Sequence, residues 1–210
     1  MTRRERVRTA LNHREPDRVP IDLGGMQTTI EALAYKDLLS YLGLQEEILV
    51  FTRDHVVPSE RVLKMFEVDT RYIYYEPIRP WSPAPGTVFD EWGIGWQKKT
   101  ERSLYFDPVY YPLRDAKHVA DLEKHKWPAP PGEERIALWW ETARKLYEET
   151  DYALVGDVIG LGVFETAWAL QGLDRFMINI HRHLSFVEAL LDKVLEVKLK
   201  QYEAYLSAIG

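Results

Sequence analysis

A chain of 210 residues with 46% hydrophobic and 29% charged side chains, 7 Trp and 12 Tyr has the material for a substantial core, which excludes a disordered composition. Its net charge of −6 argues against nonspecific nucleic-acid binding, and no apolar run approaches the roughly 20 residues of a membrane-spanning helix. Without cysteine there is no disulfide, thiolate nucleophile or Cys-ligated zinc within these residues, and a soluble cytoplasmic protein is the expectation.

The capping-box spacing Thr2-x-x-Glu5 predicts a first helix from about Arg3 to Asn12, with Val7 and Leu11 on its packed face. Arg3, Arg4, Arg6 and Arg8 read as its solvated face. "VPIDL" reads as a short strand ending in Gly24 and Gly25. Thr28-x-x-Glu31 then opens a helix over about Thr29 to Leu42, stopped by Gly43. After the strand-like "EILVF", a helix following Ser59 directs Val62, Met65 and Phe66 inward, and "RYIYYEPI" reads as the next strand.

Residues 79–86 and 127–134 are Pro-rich and read as loops. "VFDEWGIGWQKK" between them reads as a hairpin or excursion exposing an Asp-Glu-Trp-Gly tip. From about Glu134 a helix carries Ile136, Trp139, Trp140, Ala143, Leu146 and Tyr147 on one stripe, the strand "YALVGDVIG" follows, and helical sequence runs to the end. The last helix, about Ser185 to Ile209 under a Ser185-x-x-Glu188 box, buries Val187, Leu190, Leu191, Val194 and Tyr202. Alternation of strands and helices predicts an α/β fold with a parallel sheet. The chain stops where such a fold would begin another strand, so residues 1–210 are expected to be the front part of one longer domain.

Ligands of parallel α/β folds gather at the carboxyl ends of strands, where loops and helix N-termini converge. That rule selects Asp22 after "VPI", Glu76 after "RYIYY" and Asp157 after "YALVG". Each of them alone could equally be a helix cap or loop carboxylate. Together they describe a carboxylate-lined cleft, suited to a cation, a nitrogenous ligand or general acid/base work. His181 and His183, two residues apart in a predicted turn, read as surface or capping residues rather than metal ligands. Gly156, Gly160 and Gly162 match neither dinucleotide nor phosphate-loop spacing, and serve a tight turn or close backbone approach.

Three segments, "TRRERVRTALNHREPDRVPIDLGG", "FDEWGIGW" and "VGDVIGLGVFETAWALQGLDRFMINIHRHLSFVEALLDKVLE", occur in an order that resembles the uroporphyrinogen decarboxylase superfamily. The resemblance spans nearly the whole chain. It implies a (β/α)8 TIM barrel with its pocket at the carboxyl end of the strands, of which this chain supplies the N-terminal helices and about three strands. The superfamily contains the tetrapyrrole decarboxylases of porphyrin biosynthesis and cobamide-dependent methyltransferases that pass methyl groups from corrinoid proteins to thiols. In those methyltransferases a zinc site built from a His-x-Cys and a later Cys would fall beyond Gly210.

Carried over residue by residue, the resemblance is mixed. True decarboxylases follow their first strand with Met-Arg-Gln-Ala-Gly-Arg, whose arginines grip substrate carboxylates, where this chain has "LGGMQTT". Their Phe-Ser-Asp-Ile falls on Tyr74-Tyr75-Glu76-Pro77, giving Glu76 the place of the catalytic acid, and a family tyrosine falls near Trp168. The "DLGG" and "DEWG" segments resemble the methyltransferase-like branch. The resemblance therefore implies a corrinoid-dependent methyltransferase, with Asp22, Gly24, Gly25, Asp157 and Trp168 lining the substrate pocket, and a small molecule or tetrapyrrole and a corrinoid protein as partners. Uroporphyrinogen III decarboxylase centred on Glu76 is the alternative, and a non-catalytic barrel segment or partner-binding subunit is a third. An uncovered edge strand would favour a homo-oligomer.

Overall fold

The computed structural model describes residues 1–82, 86–100, 103 and 105–210. In chain order its elements are α1 (Arg3–Leu11), α2 (Ala32–Tyr41), β1 (Leu49–Thr52), β2 (His55–Val57), α3 (Glu60–Met65), β3 (Thr70–Ile73), β4 (Arg79–Pro80), β5 (Val88–Phe89), β6 (Gly95–Gln97) and β7 (Asp107–Tyr110). There follow α4 (Val119–Leu122), α5 (Glu133–Glu149), β8 (Ala153–Gly156), α6 (Val163–Gln171), α7 (Leu173–Arg182) and α8 (Leu184–Ile209). The fold is mixed α/β. Its strands form three small sheets, ordered β2-β1-β4, β3-β8 and β5-β6-β7, and among the described residues none closes into a barrel. No described helix is long and apolar enough to cross a membrane.

The chain divides into two compact units, the first comprising residues 1–82, 132–158 and 205–210. At its centre β3 and β8 run parallel in the register Thr70↔Ala153 to Ile73↔Gly156, joined through α5 as the strand-helix alternation requires. Trp139 and Ala143 of α5 are buried, four residues apart on one helical face, whereas Trp140 and Tyr147 are exposed. The stripe is thus narrower than the sequence reading drew it. A second cluster forms where Ala32, Tyr35 and Leu39 of α2 pack on Val50, Val56 and Val62. Each fully buried aliphatic side chain there contributes about 1.5–3 kcal/mol.

Several local expectations are corrected in this unit. "VPIDL" forms no strand: Pro20 has no N–H, and the segment meets its neighbour through one backbone bond, Asp69 N–H to the Ile21 carbonyl at 2.8 Å, and otherwise through side chains. The Thr2 capping box forms, but Thr28 caps no helix: its hydroxyl accepts the Gly25 N–H at 3.1 Å, and α2 begins three residues beyond the predicted start. Ser59 does cap α3, yet Met65 and Phe66 are exposed and Leu63 is buried with Val62. Arg79–Pro80 pairs with β1 instead of forming open loop, and residues 83–85 of that Pro-rich stretch lie outside the described residues.

The largest correction concerns α1. Arg6 is its buried residue and Leu11 is exposed, against the expectation, whereas Val7 is half-buried and Arg8 exposed. The Arg6 guanidinium binds Asp17 at 2.6 and 2.8 Å and the fully buried Asp69 at 2.7 Å, and Arg18 holds the same Asp69 at 2.7 and 3.0 Å. Arg4 donates to the carbonyls of Tyr147, Thr150 and Tyr152, and Arg3 pairs with Asp151. Arg3, Arg4 and Arg6 form a clasp that ties α1 to the parallel strand pair.

The second unit, residues 83–131 and 159–204, is built on α8. Phe186, Val187, Leu190, Val194 and Val197 recur at helical spacing and pack with Phe176, Leu170, Trp92 and Ile94. Ser185 lies inside α8 and caps nothing. β5 and β6 form the predicted hairpin, Val88↔Trp96 and Phe89↔Gly95. Its tip is packed: Asp90 accepts the N–H groups of Trp92 and Ile94 and the Trp96 indole N–H, and Trp92 is buried. His181 is exposed in the last turn of α7, inside the helix and not in the expected turn, and His183 is the C-cap of that helix.

Candidate functional site

The parallel pair in the first unit ends at Ile73 and Gly156, and the residues just beyond these ends supply a compact polar cluster. Asp157 follows β8 directly. Its carboxylate is buried and accepts the Met26 N–H at 3.0 and 3.1 Å and the Val158 N–H at 2.8 Å. Asp22 arrives from the non-strand segment and accepts the hydroxyls of Thr70 at 2.5 Å and Tyr72 at 2.8 Å. The Tyr74 hydroxyl donates to the Gly24 carbonyl at 3.1 Å. Asp22, Gly24, Gly25 and Asp157 are therefore brought together around the turn at residues 24–28.

The two glycines have different reasons to be there. Gly24 has φ +129°, a conformation L side chains rarely adopt. Gly25 lies against the ring of Tyr72, and a Cβ at that position would meet the ring at 2.2 Å. Tyr72 and Tyr74 project from one face because strand side chains alternate, and their ring centroids are 6.2 Å apart.

Protonation follows from burial. Burial pushes the Tyr72 hydroxyl up to about 12, and Asp22 beside it adds to the rise. Tyr74 is raised further by burial and by the charge of Asp157. Both phenols are thus hydrogen-bond donors at neutral pH. Burial also raises Asp157, with the negative charge of Asp22 adding, while the Met26 and Val158 N–H groups pull the other way. The cluster combines acceptors with protonated donors, so it can hold a cation or an N–H donor and can pass a proton through Asp157.

Glu76 and Trp168 are placed otherwise. The Glu76 carboxylate lies 3.9 Å from the guanidinium of Arg135, which also donates to the Tyr75 carbonyl and stacks over the Tyr75 and Trp139 rings at 4.6 and 5.0 Å. Trp168 belongs to the second unit, half-buried on α6 and packed against that unit's core. Sequence reasoning missed Tyr72, Tyr74 and Thr28. The alternation in "YIYY", which sends Tyr72 and Tyr74 to one face, was the available signal. Among the described residues no group of three or more His, Cys, Asp or Glu side chains is placed to hold a metal ion.

No protein-family model matches the chain, and no curated protein sequence matches it. Among solved structures it is similar to a methyltransferase from Methanosarcina mazei, with a TM-score of 0.50 and 17% identity over 99% of this chain and 56% of that one. The likeness is one of fold, and this chain spans about half the length of that protein.

Proposed function

We propose that this chain is the N-terminal portion of a methyltransferase-like member of the uroporphyrinogen decarboxylase superfamily, folded as the first strands and helices of a (β/α)8 barrel. The observation that carries the reading is the placement of Asp157 directly after β8, at the carboxyl end where such barrels place their ligands, with Asp22 near it on the Thr70 and Tyr72 face of β3. The structural likeness to a methyltransferase is in keeping with it. In this reading the cluster binds and orients a methylated small molecule or the edge of a corrinoid, with the Tyr72 and Tyr74 hydroxyls kept protonated as donors. The zinc site that activates the thiol acceptor in such methyltransferases would fall beyond Gly210.

Decarboxylation of uroporphyrinogen is less well supported. Residues 22–29 hold no arginine to grip substrate carboxylates, and Glu76 lies in the Arg135 contact, apart from the Asp22 and Asp157 cluster. The test uses the full-length protein with a methylcobamide and a thiol, following the cobamide spectrum. Loss of the methylated spectrum that depends on thiol and falls at least tenfold in Asp157→Asn is expected. An unchanged cobamide, with CO2 released from uroporphyrinogen instead, would overturn the reading.

A further inference from the structure

The C-terminal end of α2 opens onto a cleft of about 470 Å³ in the first unit, within the range of small-molecule sites. Its floor is apolar, formed by Leu39, Leu44 and Ile48. One wall is Trp81, which is held rigidly: its indole N–H donates to Asp54 at 2.9 Å and its backbone N–H to the Ile48 carbonyl at 2.8 Å.

Three features of the cleft point to positive charge. Glu46 lines it, and its Oε2 is buried with no hydrogen-bond partner, an arrangement that costs free energy until a donor arrives. The last turn of α2 contains no basic residue, so the negative end of the helix dipole is not offset there. The indole of Trp81 offers a π face, on which cations are attracted. Lys36, exposed on the helix wall, is the competing cation of the chain itself.

We propose that this cleft is a second ligand site, separate from the Asp22 and Asp157 cluster, and that it binds a primary alkylammonium. The ammonium head pairs with the Glu46 carboxylate near the end of α2, the side chain turning Oε2 toward the cleft, and the alkyl chain lies over Leu39, Leu44 and Ile48 against Trp81. A neutral alcohol of the same chain length satisfies the floor and leaves the carboxylate unpaired. A carboxylate of the same length is repelled.

The probe is pentylammonium chloride, titrated into the full-length protein while the Trp81 indole N–H resonance is followed, assigned by its loss in Trp81→Phe. A saturable shift is expected with pentylammonium and none with pentanol or pentanoate. Glu46→Gln should weaken the midpoint at least tenfold without altering the rest of the spectrum, and Asp157→Asn should leave it unchanged. Equal responses to pentylammonium and pentanol, or an unaffected Glu46→Gln, would overturn the proposal. So would binding that emerges only in Lys36→Met, since the cleft would then be filled by the chain's own ammonium.

Discussion

The Tyr205 hydroxyl accepts the backbone N–H of Asp157 at 3.0 Å and donates to the Ile73 carbonyl, joining the two parallel strands at the point where the chain turns toward the candidate site. The group is fully buried, so removing the hydroxyl leaves a carbonyl and an amide short of a partner. Tyr205→Phe is expected to cost about 1–3 kcal/mol, read from urea unfolding. It should also speed hydrogen exchange at the Asp157 amide more than at Ala153. Unchanged exchange at Asp157 would show that the backbone bond of that amide to the Ile73 carbonyl, 3.3 Å long, suffices alone.

Acid should release the clasp at α1. Burial alone would raise Asp69, but the Ile21 N–H and the guanidiniums of Arg18 and Arg6 bring it below the ordinary range, and Arg6 holds Asp17 at about 2. Both folded-state values lie below an unfolded Asp near about 3.9, so this stability is present above about pH 4 and is lost as pH falls toward about 2. Asp69→Asn should remove about 1–3 kcal/mol at pH 7, because it takes the shared carboxylate from Arg18 and leaves Arg6 with Asp17 alone, and should flatten the acid limb of the stability profile. A variant as stable as the parent at pH 7 would show that the clasp adds nothing.

How far the sequence could be read depended on what kind of signal each residue gave. Ser59, Thr2 and the β5–β6 hairpin were legible because caps and turns are decided within a few residues. Arg6 was not, because a charge on a helix reads as solvated unless its partners are known, and Asp69 is 63 residues away. Asp22 was selected as the end of a strand that does not form, and it reaches the cluster through Thr70 and Tyr72. Asp157 was selected by the same rule on a strand that does form. Tyr72 and Tyr74 were hidden in an apolar run that looked like core, since their hydroxyl partners come from another segment.

Asp157 should titrate above the ordinary aspartate range, chiefly because it is buried and partly because Asp22 is nearby. Removing the Asp22 charge makes ionisation of Asp157 easier, so Asp22→Asn is expected to lower its midpoint. Following the side-chain carbonyl of Asp157 by carbon NMR across pH 3 to 8 checks the sign. A midpoint that stays put would mean that the two carboxylates are electrically independent, and the shared site would lose its main support.

Gly25 tests how tightly the site turn depends on Tyr72. The backbone at Gly25 is open to any residue, so a substitution there acts by contact alone: its Cβ would meet Tyr72 Cε1 at 2.2 Å and Cζ at 2.4 Å. Such distances force the ring to swing away, which breaks its 2.8 Å bond to Asp22. Gly25→Ala should therefore cost about 1–3 kcal/mol, as overpacking does. In a Tyr72→Ala background the clash is gone, and the same substitution should cost less than half as much, a coupling that a double-mutant cycle in urea measures directly. Equal costs in the two backgrounds would mean that Gly25 is needed for the turn itself. The close approach of backbone and ring would then be incidental to the placement of Asp22.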